Sequence, residues 1–253
     1  MSNKLCLITG ASSGIGKSCA EIFAKNGYNL IITGRRLERL NQLANELKTK
    51  YSIEVDSLCF DIRNNDEVVK AMESLPIEKR EIDILINNAG LAAGKEPIFE
   101  GLLSDWEQMI DTNVKGLLYI SRIIIPWMCS RKKGHIFNIA SIAGKEVYQG
   151  GNVYCASKSA VDALSKAMRM DCVDYGIKVT NIAPGAVETE FSLVRFKWDK
   201  QKADSTYKGY IPLSGEDIAD TIYYCASLPD HVCINDLVIT PKAQACATIF
   251  HRE

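Results

Sequence analysis

Short β-branched apolar runs alternate with longer amphipathic segments along this chain, and that rhythm limits the folds open to it. Residues 5–9, 29–33, 54–60, 82–87, 135–140, 178–182 and 237–240 read as strands. Most of these runs are apolar at consecutive positions, as strands covered on both faces of a parallel sheet must be. Residues 15–26, 37–51, 65–74, 104–130, 153–175 and 215–227 read as helices between them. Strand–helix–strand units of this kind cross over right-handed and predict an α/β fold, a doubly wound parallel sheet with helices on both faces. The chain has 253 residues, 47% of them apolar, which suffices for one sizeable core. No repeat, linker or composition shift marks a boundary, so 1–253 reads as a single domain.

The segment 190–210 breaks the rhythm, being rich in Lys, Asp and aromatic residues. A long irregular insertion near strand C-termini is expected to act as a substrate lid, and a disordered surface loop is the other reading. Residues 241–253 form a C-terminal tail with an apolar, uncharged stretch over 243–250.

A formal charge of −1 with mixed signs gives no basis for binding nucleic acid or an anionic membrane. The nine cysteines are odd in number and contain no Cys-x-x-Cys pair. That usage predicts a reduced, cytoplasmic protein and no disulfide framework or zinc site. His135, His231 and His251 are too scattered to suggest a metal. The first apolar run is too short for a signal segment, and no later run is long enough to span a bilayer.

Thr9-Gly10-Ala11-Ser12-Ser13-Gly14-Ile15-Gly16 follows the first strand and opens the first helix. Glycines there permit a tight turn and bring backbone N–H groups and a helix N-terminus to a pyrophosphate. The pattern Gly-x-x-x-Gly-x-Gly differs from Gly-x-Gly-x-x-Gly, yet its strand–turn–helix setting points to a Rossmann-type dinucleotide-binding domain. Arg35 and Arg36 end the second strand, where a carboxylate would take a ribose 2′-hydroxyl and an arginine a 2′-phosphate. They predict NADP(H), with Arg35 the stronger candidate; a solvated pair of Arg35 with Glu38 is the alternative. Asp61 and Ile62 after the third strand read as adenine flanks or, for Asp61, a turn cap. Asn88, Ala89 and Gly90 after the fourth read as cofactor lining or a turn.

Tyr154 and Lys158 stand four apart in a predicted helix and so share one face. An ammonium near a phenol eases proton transfer close to neutral pH. Ser141 closes the fifth strand, on the ligand side of an open sheet. Asn113 is a poor residue for mid-helix unless its amide serves another purpose.

These markers, in the order Thr9 to Gly16, Asn87 to Gly90, Asn113, Ser141, Tyr154-x-x-x-Lys158 and Pro184-Gly185, resemble the short-chain dehydrogenase/reductase family over nearly the whole chain. The resemblance implies a catalytic set. Tyr154 would be the general acid or base, and Lys158 would lower its pKa and hold the nicotinamide ribose. Ser141 would donate to the substrate oxygen, and Asn113 would bind a relay water. It further implies cofactor contacts from Pro184, Gly185, Val187 and Thr189, and a homotetramer whose tail reaches a neighbouring subunit; packing of the tail on its own subunit is the other reading.

Longer stretches, 85–92, 149–154, 192–199 and 244–251, look like the bacterial NADP-dependent 3-hydroxy acid dehydrogenases and the related sulfoacetaldehyde reductases. A small anionic hydroxy acid (serine, allo-threonine, 3-hydroxypropionate) or the matching semialdehyde is then the expected substrate, with a sulfonate as the alternative. Arg195 is the candidate cation for its head group, with Tyr148 and Gln149 as neutral partners; pairing of Arg195 with Asp199 or Asp204 is the other reading. A non-catalytic NADPH sensor is the remaining class. Such sensors often lose the tyrosine or lysine that this chain keeps.

Overall fold

The computed structural model describes residues 4–253. Seven strands are present: β1 (Leu5–Ile8), β2 (Asn29–Gly34), β3 (Val55–Cys59), β4 (Ile84–Asn87), β5 (His135–Ile139), β6 (Lys178–Pro184) and β7 (Asp236–Ile239). Between and beyond them lie α1 (Gly14–Lys25), α2 (Leu37–Tyr51), α3 (Asn65–Glu73), α4 (Leu103–Ile110), α5 (Leu117–Arg131), α6 (Asn152–Cys172), α7 (Glu190–Arg195), α8 (Lys200–Ser205) and α9 (Gly215–Ser227). The strands pair in parallel in the order β3-β2-β1-β4-β5-β6-β7, the doubly wound Rossmann-type sheet expected from the alternation.

Why the strands are apolar throughout is visible in the two cores. Cys6, Ile8, Leu30 and Ile32 point to one face, against Phe23 of α1, Leu40 and Leu43 of α2 and Ile222 of α9. Leu7, Ile31, Leu85 and Ile136 point to the other, against Met72 of α3, Ile120 and Ile124 of α5 and Val161 of α6. Neighbouring strand positions serve opposite cores, so the period of two needs no polar partner. Each such Leu or Ile fully withdrawn from water contributes roughly 1.5–3 kcal/mol.

The chain winds one way from β1 and the other way from β4, and these two strands are adjacent. A crevice therefore opens beyond their carboxyl ends, where open α/β sheets bind ligands. Thr9 and Asn88 stitch its walls together. Thr9 Oγ1 accepts from the Asn88 and Ala89 amides, both at 3.0 Å, and Asn88 Nδ2 donates to the Thr9 carbonyl at 2.9 Å.

Two expectations change. The helix expected over 104–130 is divided into α4, a π-helical segment Asp111–Gly116 and α5. Asn113 lies in this widened turn, a form that marks functional sites. The segment 190–210, expected to be irregular, folds into α7 and α8. Each has a sequence-coded start: Thr189 Oγ1 accepts from Phe191 N (3.2 Å), and Asp199 Oδ1 from Lys202 N (3.1 Å). The tail makes contacts with its own chain. Glu253 N donates to Gly209 O at 2.8 Å, and the Phe250 ring lies 5.0 Å from that of Tyr210. Among the described residues no helix is long and apolar enough to cross a membrane.

Candidate active site

The crevice opens into one cleft of about 710 Å³, lined from Gly10 and Arg36 at one end to Tyr154 and Arg195 at the other. At the glycine end, Gly10 and Gly14 take φ of +67° and +54°, which side chains rarely adopt. A Cβ on Gly10 would stand 2.9 Å from the Ala89 Cα, and one on Gly16 would run into the Gly10 carbonyl and the Asn88 amide. The turn is thus pressed against the loop after β4, with Ser12, Ser13, Gly14 and Ile15 facing the cleft.

Arg36 is lodged in this turn. Its guanidinium donates to Ser12 Oγ (3.0 and 3.1 Å), to Ser13 Oγ (2.7 Å) and to Glu190 Oε2 (2.7 Å). Arg35 lines the cleft but is exposed, so Arg36, not Arg35, is the arginine held in place. Asp61 and Ile62 also line the cleft, and Asp61 acts as a turn cap too. It accepts from the Arg63 amide (3.0 Å) and pairs with the Arg63 guanidinium, while Arg63 and Arg35 hold its carboxyl below the usual range against the opposing effect of burial.

At the opposite end, Tyr154 and Lys158 are buried on one face of α6. Burial pushes the Tyr154 phenol above its ordinary pKa; nearby Tyr148 adds to this, and Ser141 and Arg195 pull the other way. Lys158, read from the sequence as the group that lowers the phenol, donates instead to the Ile139 carbonyl at 2.8 Å, and burial brings its own pKa down to about 8. Ser141 Oγ accepts from Ala143 N (3.1 Å) and donates to Pro184 O (3.3 Å), which fixes it at the β5–β6 rim.

Asn113 does not line the cleft. Its amide accepts from Leu91 N and donates to Leu91 O, both at 2.8 Å, and donates to Ser157 Oγ at 2.9 Å. These bonds answer why an asparagine sits there: its side chain replaces strand partners for the loop after β4. Both Nδ2 hydrogens are thereby committed, while Oδ1 accepts one bond and keeps its second lone pair.

Arg195, at the end of α7, donates from Nε to Gly94 O (3.2 Å) and from Nη1 to Tyr148 Oη (2.8 Å). Its Nη2 is buried with no partner, and its guanidinium lies 5.6 Å from the centre of the Tyr154 ring. The alternative pairing with Asp199 or Asp204 does not form; those carboxylates bond Lys202 and Lys200. Gln149 is exposed and outside the lining, so it is not positioned as a substrate partner.

The model of the family described as short chain dehydrogenase matches residues 4–200. The chain belongs to this family. Within it, the chain is 46% identical over 244 residues to the NADP-dependent 3-hydroxy acid dehydrogenase YdfG of Salmonella typhi, an alignment covering 96% of this chain and 97% of that one. Identity to the serine 3-dehydrogenase of Agrobacterium fabrum is 44% over 241 residues, 95% of both chains. A structure described as the closed form of serine dehydrogenase complexed with NADP⁺ superposes with a TM-score of 0.91 at 44% identity, over 98% of this chain and 100% of that one.

For a short-chain dehydrogenase the cleft brings together nearly every residue the sequence points to: Gly10, Ser12 to Ile15, Arg35, Arg36, Asp61 to Ile62, Asn88 to Gly90, Ser141, Tyr148, Tyr154, Lys158, Pro184, Gly185, Val187, Thr189 and Arg195. Thr9 and Gly16 stand behind the lining as supports. Sequence reasoning missed Phe191, whose ring lies 5.6 Å from Tyr154, and Gln244, which accepts from Ala186 N at 2.8 Å and steadies the loop after β6. It also missed Glu190 and Arg39, paired at 2.6 Å. A charge pattern gave no signal for that contact, which spans most of the chain.

Proposed function

We propose that this protein is an NADP(H)-dependent oxidoreductase acting on a small anionic 3-hydroxy acid, or on the matching semialdehyde in reverse. The observation that carries the substrate class is the buried, unpartnered Nη2 of Arg195 beside Tyr154. A desolvated donor costs about 1–3 kcal/mol until it finds an acceptor, and a carboxylate supplies one with opposite charge. The names of the relatives, 3-hydroxy acid and serine dehydrogenases, agree with that chemistry.

The residues present fit the nucleotide. The glycine turn, Ser12, Ser13 and the arginine pair would hold its phosphates, with Lys158 and the loop from Pro184 to Thr189 at the nicotinamide half. When bound, the cofactor supplies the hydride donor or acceptor. The chain handles the proton. Because burial holds the Tyr154 phenol protonated at neutral pH, Tyr154 donates to the substrate oxygen in reduction, while Ser141 and Arg195 ease its return to phenolate in oxidation. Ser141 donates to the same oxygen as charge develops. Lys158, poised near 8, takes up or releases a proton within the working range. Asn113 acts on this set by fixing Leu91 and Ser157 around it.

The same reading places a homotetramer in the cytoplasm. An odd count of nine cysteines with no Cys-x-x-Cys pair supports a reducing compartment, and Leu118 and Met170 offer exposed apolar contacts on α5 and α6.

An NADP⁺-coupled screen of L-serine, allo-threonine, 3-hydroxypropionate and isethionate tests the proposal. Turnover of the carboxylates, with NADP⁺ well ahead of NAD⁺, is the expected result. Turnover of isethionate alone would transfer the reading to the sulfonate, and inertness toward all four would remove the proposed substrate class.

A further inference from the structure

Glu190 sits where an enzyme of this kind has least use for a negative charge. Its carboxylate bridges Arg36 (2.7 Å), whose guanidinium also bonds the serines of the glycine turn, and Arg39 (2.6 Å). Arg36 and Glu190 are part-buried and Arg39 is exposed, so the bridge is open to water. Glu190 is also the first residue of α7, whose last residue is Arg195. One short helix thus carries an anion set on the cofactor arginines at one end and the free cationic donor beside Tyr154 at the other.

We propose that Glu190 is a resident counter-anion, occupying the Arg36–Arg39 pair until the 2′-phosphate of the cofactor displaces it and frees the first turn of α7. The inference rests on the NADP(H) reading above. A phosphate carries roughly −1.5 to −2 charges and three acceptor oxygens, against one charge and two oxygens for a carboxylate. At the same guanidinium pair the phosphate therefore prevails, and part of its binding is spent on removing Glu190. NAD(H), lacking that group, leaves Glu190 in place and α7 pinned. Glu190 then makes α7 respond to the cofactor's 2′-phosphate specifically, although it is not a catalytic residue.

The test compares binding of 2′,5′-ADP and 5′-ADP by titration calorimetry to the wild-type protein and to Glu190→Gln. In the wild type, 2′,5′-ADP should bind more tightly; equal affinity of the two ligands would overturn the NADP(H) reading itself. In Glu190→Gln the affinity for 2′,5′-ADP should rise about 1.5- to 5-fold, the range for losing a partly exposed competing ion pair, with 5′-ADP unchanged. Preference for 2′,5′-ADP in the wild type, joined to unchanged or weaker binding by the variant, would overturn the displacement and leave the NADP(H) reading standing. Hydrogen exchange on the wild-type protein supplies a measurement independent of the variant's folding. Amides of 190–195 should exchange faster with 2′,5′-ADP than with 5′-ADP, and identical exchange counts against the proposal.

Discussion

Arg195 and Tyr148 share a hydrogen bond of 2.8 Å, and the same guanidinium, 5.6 Å from the centre of the Tyr154 ring, keeps a buried Nη2 with nothing to bond among the described residues. Replacing Arg195 with Ala should raise KM for 3-hydroxypropionate by roughly 10- to 100-fold, the worth of one charged hydrogen bond. A neutral aldehyde of similar size should be affected far less. Steady-state kinetics on the two substrates decide it, and equal losses would remove Arg195 from the anion site.

Tyr154→Phe should lower kcat by about 10²- to 10⁴-fold, as expected when a positioned proton donor is removed. Cofactor affinity, followed by NADPH fluorescence titration, should stay close to wild type. Substantial residual turnover would show that another group carries the proton.

The two arginines after β2 differ in how they are held, Arg36 by Ser12, Ser13 and Glu190 and Arg35 toward solvent. Arg36→Leu should therefore reduce the NADPH/NADH ratio of kcat/KM by about tenfold or more, and Arg35→Asp by a smaller factor. The reverse ranking would restore Arg35 as the principal phosphate ligand.

Asn113→Ala would leave the buried Leu91 N–H and C=O without their 2.8 Å partners. Two orphaned backbone groups should reduce stability by about 2–5 kcal/mol in urea unfolding. A variant as stable as wild type would place the role of Asn113 wholly in chemistry.

His135 gives a pH dependence whose sign can be worked out. Thr180 spends its single proton on Ile234 O (2.6 Å), so the bond of 2.7 Å between Thr180 and the imidazole is donated by His135 Nε2. Nδ1 is left buried and unpartnered, and burial, with a smaller contribution from the Lys178 charge, brings the His135 pKa down from 6.5 to about 3. Below pH 6.5 the unfolded chain binds this proton and the folded one does not. Stability from His135 is thus complete above 6.5 and falls by up to about 1.4 kcal/mol per pH unit as pH drops toward 3. The carboxylates held low, Asp61 and Asp162 among them, lose their contribution only below the usual carboxylate range. Unfolding free energies between pH 6.5 and 4.5 should therefore show a slope that His135→Asn reduces by about one proton; an unaltered slope refutes the assignment.

Whatever depends on neighbours along the chain was legible in the residues themselves. The period of apolar positions defined the strands and their two covered faces, glycine marked the turn after β1, and a spacing of four placed Tyr154 and Lys158 together on α6. These are local consequences of backbone sterics and hydrophobic burial, which act at short sequence separation. The tertiary structure alone decided what each polar group met. It gave Glu190 to arginines more than 150 residues away, left Arg195 with a free donor and committed the Asn113 amide to Leu91. A charge or an amide takes its energy from whichever partner packing brings within about 3 Å, and sequence spacing carries no record of that distance.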